Sequence, residues 1–216
     1  MNVTSRAVRR FATLGDSVTA GTAGDEWSLW PQLVTEWLAT HSPGVRHFNF
    51  ATDGAVSGEV LRDQVPLALE SRPDLVTVIC GANDVLHYPR PDVEAAGENL
   101  AACLGRLAGE ILPARIATAT YPDLVPFLPW RPKSKARVAS RLAHLNEAIR
   151  LVAEDHGTLC IDLAAWARRY SDEAYDADGI HPSQVGHRRI AIAMTLALSS
   201  RLELPDALSY WEASER

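Results

Sequence analysis

The chain has 216 residues, 47% hydrophobic and 22% charged, and 21 Lys and Arg against 27 Asp and Glu leave a net charge of -6. This length fits one domain, expected over residues 1–216 with a core over about 8–200, and the composition excludes a disordered or fibrous chain. The acidic balance supplies no general positive field for a phosphate backbone, so nucleic acid is not an expected partner. The basic run Arg131–Arg141, with Lys133, Lys135 and Arg137, is read as the exposed start of a helix rather than a polyanion patch. There is no run of about 18 apolar residues, and Met1–Arg10 lacks the apolar middle of a secretory signal. A cytoplasmic protein without stable membrane insertion is therefore expected. Cys80, Cys103 and Cys160 have no paired close spacing, so all three are expected reduced and mostly buried.

In chain order, five short apolar runs read as buried strands because they are continuous rather than alternating: Arg10–Leu14, His47–Ala51, Leu75–Cys80, Arg115–Thr120 and Thr158–Leu163. Segments with helical spacing separate them. These are Gly58–Leu69, the series Val93, Ala96, Leu100, Cys103, Leu107 and Ile111, the series Leu142, Leu145, Ile149 and Val152, and an amphipathic helix near Gln184–Ser199. Alternating strands and helices predict right-handed crossovers and a parallel sheet covered on both faces. Residues 202–216 are left as a tail. Tyr121–Pro132 carries Pro122, Pro126, Pro129 and Pro132 among apolar residues, so it is a loop, serving either as a wall of a pocket or as a cover packed on its own domain.

The first strand runs into Gly15-Asp16-Ser17 and then a small-residue loop with Gly21 and Gly24. A serine at a sharp turn after a strand can act as a nucleophile, yet the same serine fits a helix N-cap equally well. Near the other end, Asp178-Gly179-Ile180-His181 places a carboxylate three residues before an imidazole, as a general base and its orienting partner require; a surface turn with an incidental histidine is the alternative. Gly54 and Asn83 follow the second and third strands and offer a backbone N–H and a side-chain amide to an oxyanion, although each also suits a simple turn. In a parallel sheet these loops share the carboxyl-end rim where ligands bind.

The four segments Gly15-Asp16-Ser17, Asn49 to Gly54, Gly81-Ala82-Asn83-Asp84 and Asp178-Gly179-Ile180-His181 resemble, in order, the four sequence blocks of the SGNH, or GDSL, hydrolases (GDSL-type esterases and lipases). The resemblance implies a flavodoxin-like three-layer α/β/α sandwich with a five-stranded parallel sheet and a serine esterase chemistry without cofactor or metal. It implies Ser17 as nucleophile, His181 as base and acid, Asp178 as its orienting carboxylate, and Ser17 N–H, Gly54 N–H and the Asn83 amide as the oxyanion hole, with Gly58 as fallback for Gly54. The expected substrate is a small-molecule or lipid-like carboxylic ester. An O-acyltransferase using the same triad and a non-catalytic flavodoxin-like binding module are the rivals, the latter disfavoured by the lack of a glycine-rich phosphate loop. Trp27, Trp30, Phe127, Leu128 and Trp130 are expected to line an acyl pocket.

Overall fold

A computed structural model of the chain describes residues 7–21, 29–86, 91–165 and 172–213. Its elements are β1 Arg10–Gly15, α1 Ser17–Ala20, α2 Trp30–His41, β2 Arg46–Asn49, α3 Ser57–Glu59, a π turn Val60–Gln64, α4 Val65–Glu70 and β3 Leu75–Ile79. There follow α5 Ala82–Leu86, α6 Val93–Ala108, β4 Ile116–Ala119, α7 Pro132–Asp155, β5 Leu159–Ile161, α8 Gln184–Leu202 and α9 Ala207–Ala213.

The strands form one parallel sheet in the order β2-β1-β3-β4-β5. This is the flavodoxin-like order, and it places the reversal of strand order between β1 and β3. The central strands β1, β3 and β4 are buried almost throughout, as expected for a sheet covered on both faces. The edge strand β2 is partly exposed, and β5 is short and only partly buried. Continuous apolarity therefore marks all five strands and overstates the lengths of β4 and β5 most.

Helix starts follow local capping chemistry. Asp92 accepts from the Ala95 amide at the start of α6, and Ser183 accepts from the Gly186 amide at the start of α8, each satisfying an otherwise orphan N–H. The Gly58–Leu69 expectation corresponds to α3, the π turn and α4 in continuous succession. The π turn brings the side chain of Gln64 to β1, where it accepts from Gly15 N–H at 2.8 Å and donates to Gly15 C=O at 2.9 Å.

The last helix departs from the amphipathic expectation, since buried residues on α8 point in several directions, among them Ile190, Ala191, Ala193, Met194 and Leu198. The segment expected as a tail explains this. Its α9 packs on α8, burying Trp211, whose indole N–H donates to Thr195 Oγ1 at 2.8 Å. Cys80, Cys103 and Cys160 are free thiols, the first two buried and the third partly so, and burial pushes the Cys103 thiol up to about 12 and that of Cys160 to about 11. Among the described residues, no helix is long and apolar enough to cross a membrane.

Candidate active site at the carboxyl edge of the sheet

β1 ends at Gly15, whose φ of +147° is rarely open to other residues and whose missing side chain lets the backbone pass close to β3; a Cβ there would stand 2.1 Å from the Ile79 carbonyl oxygen. The chain then turns into α1. The side chain that caps this helix is Asp16, whose Oδ1 accepts from Val18 N–H at 3.1 Å. Ser17 is therefore not the cap, and its Oγ is left for another partner.

That partner comes from the loop before α8. His181 Nε2 lies 3.0 Å from Ser17 Oγ, and His181 Nδ1 lies 2.5 Å from Asp178 Oδ2. Asp178 Oδ1 accepts from the amides of Ile180 and His181 at 2.8 and 3.0 Å. Partial burial pushes the Asp178 carboxyl up, but these amides and the imidazole outweigh it, and the net shift is below the usual carboxylate range. An ionised carboxylate only accepts, so Nδ1 carries the proton and Nε2 turns its lone pair to Ser17. Gly179, with φ +70°, keeps this loop against the proline-rich segment: a Cβ there would stand 2.4 Å from the Phe127 carbonyl oxygen.

Asn83 lies at the start of α5, buried, with its side-chain amide donating to Ala55 C=O at 3.0 Å. One amide hydrogen is spent on that bond and a second remains. Gly54 sits one residue earlier, in a turn with φ +73°, whereas Gly58 is inside α3. The β2 and β3 loops are joined again by Ser57, which donates from its N–H and its Oγ to the Asp84 carboxylate at 2.9 and 2.8 Å, while Asn99 donates to Ser57 Oγ.

Ser17 and Asn83 border a narrow, mostly apolar cavity of about 40 Å³, whose other walls include Leu86, Tyr121, Leu124, Tyr175 and Ile180. Of the residues expected to line an acyl pocket, Trp30, Phe127, Leu128 and Trp130 lie outside its walls. Trp30 is fully buried at the start of α2, and its indole N–H donates to Val18 C=O at 2.9 Å, so it braces the Ser17 turn. Leu128 is in the core, and Trp130 packs partly buried against it. Phe127 meets the cavity only through Tyr175, on which it stacks with centroids 4.8 Å apart. Trp27 lies outside the described residues. The proline-rich segment is wall and cover at once, since Tyr121, Pro122 and Leu124 face the cavity while Leu128 fills the core.

Sequence reasoning missed Tyr121, whose hydroxyl donates to Asp16 Oδ2 at 3.2 Å, and the carboxylate of Asp16 itself. Burial raises the Asp16 carboxyl to about 6, against the pull of the Val18 amide, the Tyr121 hydroxyl and the nearby His181. Its place within the Gly15-Asp16-Ser17 segment was the available signal; no pattern in the sequence singled out Tyr121. Among the described residues, no group of three or more His, Cys, Asp or Glu is arranged to hold a metal ion.

A sequence profile of the GDSL-like lipase/acylhydrolase family matches residues 13–189. Over 93 residues, 43% of this chain, there is 32% identity to an arylesterase of Vibrio mimicus, and the match spans 46% of that protein, about half its length. The fold superposes on a lipase/acylhydrolase from Enterococcus faecalis with a TM-score of 0.73 and 27% identity, covering 89% of this chain and 96% of the other. It also superposes on an acetylxylan esterase from Geobacillus stearothermophilus with a TM-score of 0.69 and 17% identity, covering 88% and 94%. With a match that takes in both the serine turn and the histidine loop, the chain belongs to the GDSL-like lipase/acylhydrolase family, a family of ester-bond hydrolases.

Proposed function

We propose that the protein is a serine esterase that cleaves small carboxylic esters through Ser17, His181 and Asp178. The observation that carries this is the unbroken chain from Ser17 Oγ to His181 Nε2 and from His181 Nδ1 to Asp178, across 164 residues of sequence. A surface turn with an incidental histidine has no reason to make that contact.

In the first step Ser17 Oγ attacks the ester carbonyl carbon and its proton passes to His181 Nε2. The carbonyl oxygen becomes an oxyanion, held by Ser17 N–H, Gly54 N–H and the second amide hydrogen of Asn83. The turn conformation of Gly54 supports it over the helical Gly58. The bond to the alcohol oxygen then breaks, and His181 returns the proton to the departing alcohol. Water enters, gives a proton to His181 and attacks the acyl-serine; Ser17 Oγ leaves and takes the proton back. Asp178 fixes the imidazole and stabilises its charged form in both halves.

The acyl group is placed in the cavity beside Ser17. At about 40 Å³ it has room for roughly three water-sized groups, which favours acetyl and propionyl esters. The test is a panel of p-nitrophenyl esters from C2 to C12, combined with labelling by a fluorophosphonate. The expected outcome is labelling of the wild type, its loss in Ser17→Ala together with activity, and a fall in kcat/KM from C4 upward. A folded Ser17→Ala protein that still turns over ester removes the serine from the reaction.

A further inference from the structure

Two buried side-chain amides perform the same task at the ends of two strands, β1 and β4. Gln64 clamps both backbone polar groups of Gly15, at the end of β1. Asn146, on α7, does the same for Tyr121 just past β4, accepting from Tyr121 N–H and donating to Tyr121 C=O, both at 2.8 Å. A residue with both backbone groups held in this way has little freedom to shift. Between the two clamped residues runs one polar link, from the Tyr121 hydroxyl to Asp16 Oδ2, while Asp16 Oδ1 takes the Val18 amide. Asp16, Ser17, Ala82, Asn83 and Tyr121 line one cavity, so the tyrosine stands beside both the turn that carries Ser17 and the turn that carries Asn83. Both Asp16 and Tyr121 are buried, at 1% and 4% exposure, where water cannot replace a lost partner.

We propose that Tyr121 is a positioning residue whose hydroxyl, bonded to Asp16, fixes the spacing between the Ser17 and Asn83 turns and so sets the rate of acyl transfer rather than the binding of ester. This rests on Ser17 and Asn83 carrying the chemistry proposed above. The link needs an ionised Asp16. A carboxylate accepts from Val18 and Tyr121 together with charge-assisted strength, and protonation turns one oxygen into a donor and weakens the tie. The groups that face this carboxylate are Tyr121 at the end of β4, His181 from the loop before α8, Asp84 on α5 and Cys80 at the end of β3. Tyr121 and His181 favour its charged form, whereas Asp84 opposes it. Losing the tyrosine hydroxyl therefore moves Asp16 further up from about 6, toward neutrality.

The experiment is Tyr121→Phe, which keeps the ring and the cavity wall, assayed on p-nitrophenyl acetate from pH 5 to 9, alone and combined with Asp16→Asn. The expected result is a fall in kcat of about 10- to 100-fold at pH 7 with KM within about twofold, the loss staying full toward pH 9 and shrinking toward pH 5, where Asp16 takes a proton in the wild type and the link is already weakened. In the Asp16→Asn background the loss caused by Tyr121→Phe no longer varies with pH. A loss in the single variant that is independent of pH, or one that falls on KM, overturns the proposal. Should Tyr121→Phe fail to fold, Asp16→Asn alone decides: a changed acid limb of kcat supports the link, and a limb identical to the wild type overturns it. Activity surviving in Ser17→Ala sinks the underlying reading, whereas an inert Ser17→Ala beside a normal Tyr121→Phe sinks this inference alone.

Discussion

The serine turn and the histidine loop meet at the same site and are built on opposite terms. Residues 15–20 are almost wholly buried and are braced by other elements, by Gln64 from the π turn, Trp30 from α2 and Tyr121 from the end of β4. The loop around Asp178 and His181 has an Asp178 side chain 46% exposed and relies mainly on hydrogen bonds among residues 174–183, plus the backbone contact of Gly179 with Phe127. Where charge must develop in a fixed place, the surroundings are rigid and dry. Under the proposed mechanism His181 passes a proton to alcohol and water, and it stays nearer the surface and is oriented locally.

Alanine at the glycine of each region breaks this contrast most directly. Gly15→Ala forces a Cβ to 2.1 Å from the Ile79 carbonyl oxygen at a φ of +147°, between two paired central strands that cannot part. A loss of roughly 4 kcal/mol or more of folding stability is expected, measured as a fall of about 8 °C or more in Tm for a chain of this size. Gly179→Ala meets the Phe127 carbonyl at 2.4 Å, but the loop can yield by moving outward. There the expected loss is on the order of 100-fold in kcat, the consequence of about 1 Å of misplacement, with Tm lowered by no more than about 5 °C. Equal effects of the two variants on Tm erase the proposed difference between the regions.

Asn83→Ala sharpens the comparison at intermediate cost. Removing one oxyanion donor typically raises the barrier by about 2.7–4 kcal/mol, or 10²- to 10³-fold in kcat. Because Ser57 and Asp84 still join the β2 and β3 loops, Tm should change little. A normal kcat in a folded Asn83→Ala enzyme takes this residue out of the oxyanion hole.

The same contrast decides what was legible in the sequence. The strands and their alternation with helices followed from local patterns, because a buried parallel strand is written in consecutive residues, whereas the pairing of Ser17 with His181 was legible only through the resemblance of four separated segments to a known family. The bracing of the Ser17 turn was not legible, since Gln64, Tyr121, Asn146 and Trp30 act from distant segments as single polar groups at apolar positions. Trp30 illustrates the limit: its size pointed to a pocket wall, while its role is set by an indole N–H directed at Val18. The extent of α8 burial was hidden for a related reason, because nothing in its own period shows that α9 covers a second side.

Burial also leaves a mark on acid stability, through His47 on β2 and His187 near the start of α8. Burial lowers His47 and His187 from 6.5 to about 4, so between those values the unfolded chain takes up protons that the folded chain refuses. Each histidine's contribution is complete above pH 6.5 and lost as the pH falls toward 4, at about 1.4 kcal/mol per pH unit. Asp16 acts with the opposite sign. Its folded form takes a proton near 6 while the unfolded form waits until 3.8, returning about 1.4 kcal/mol per unit over part of the same window. The carboxyls of Asp162 and Asp178, held below the usual range, act only further down. Two histidines against one aspartate leave a net slope of about 1.4 kcal/mol per unit between pH 6 and 4, read from urea midpoints. Asp16→Asn should steepen it toward about 2.7, and a slope unchanged by that substitution shows that Asp16 titrates as an ordinary carboxyl.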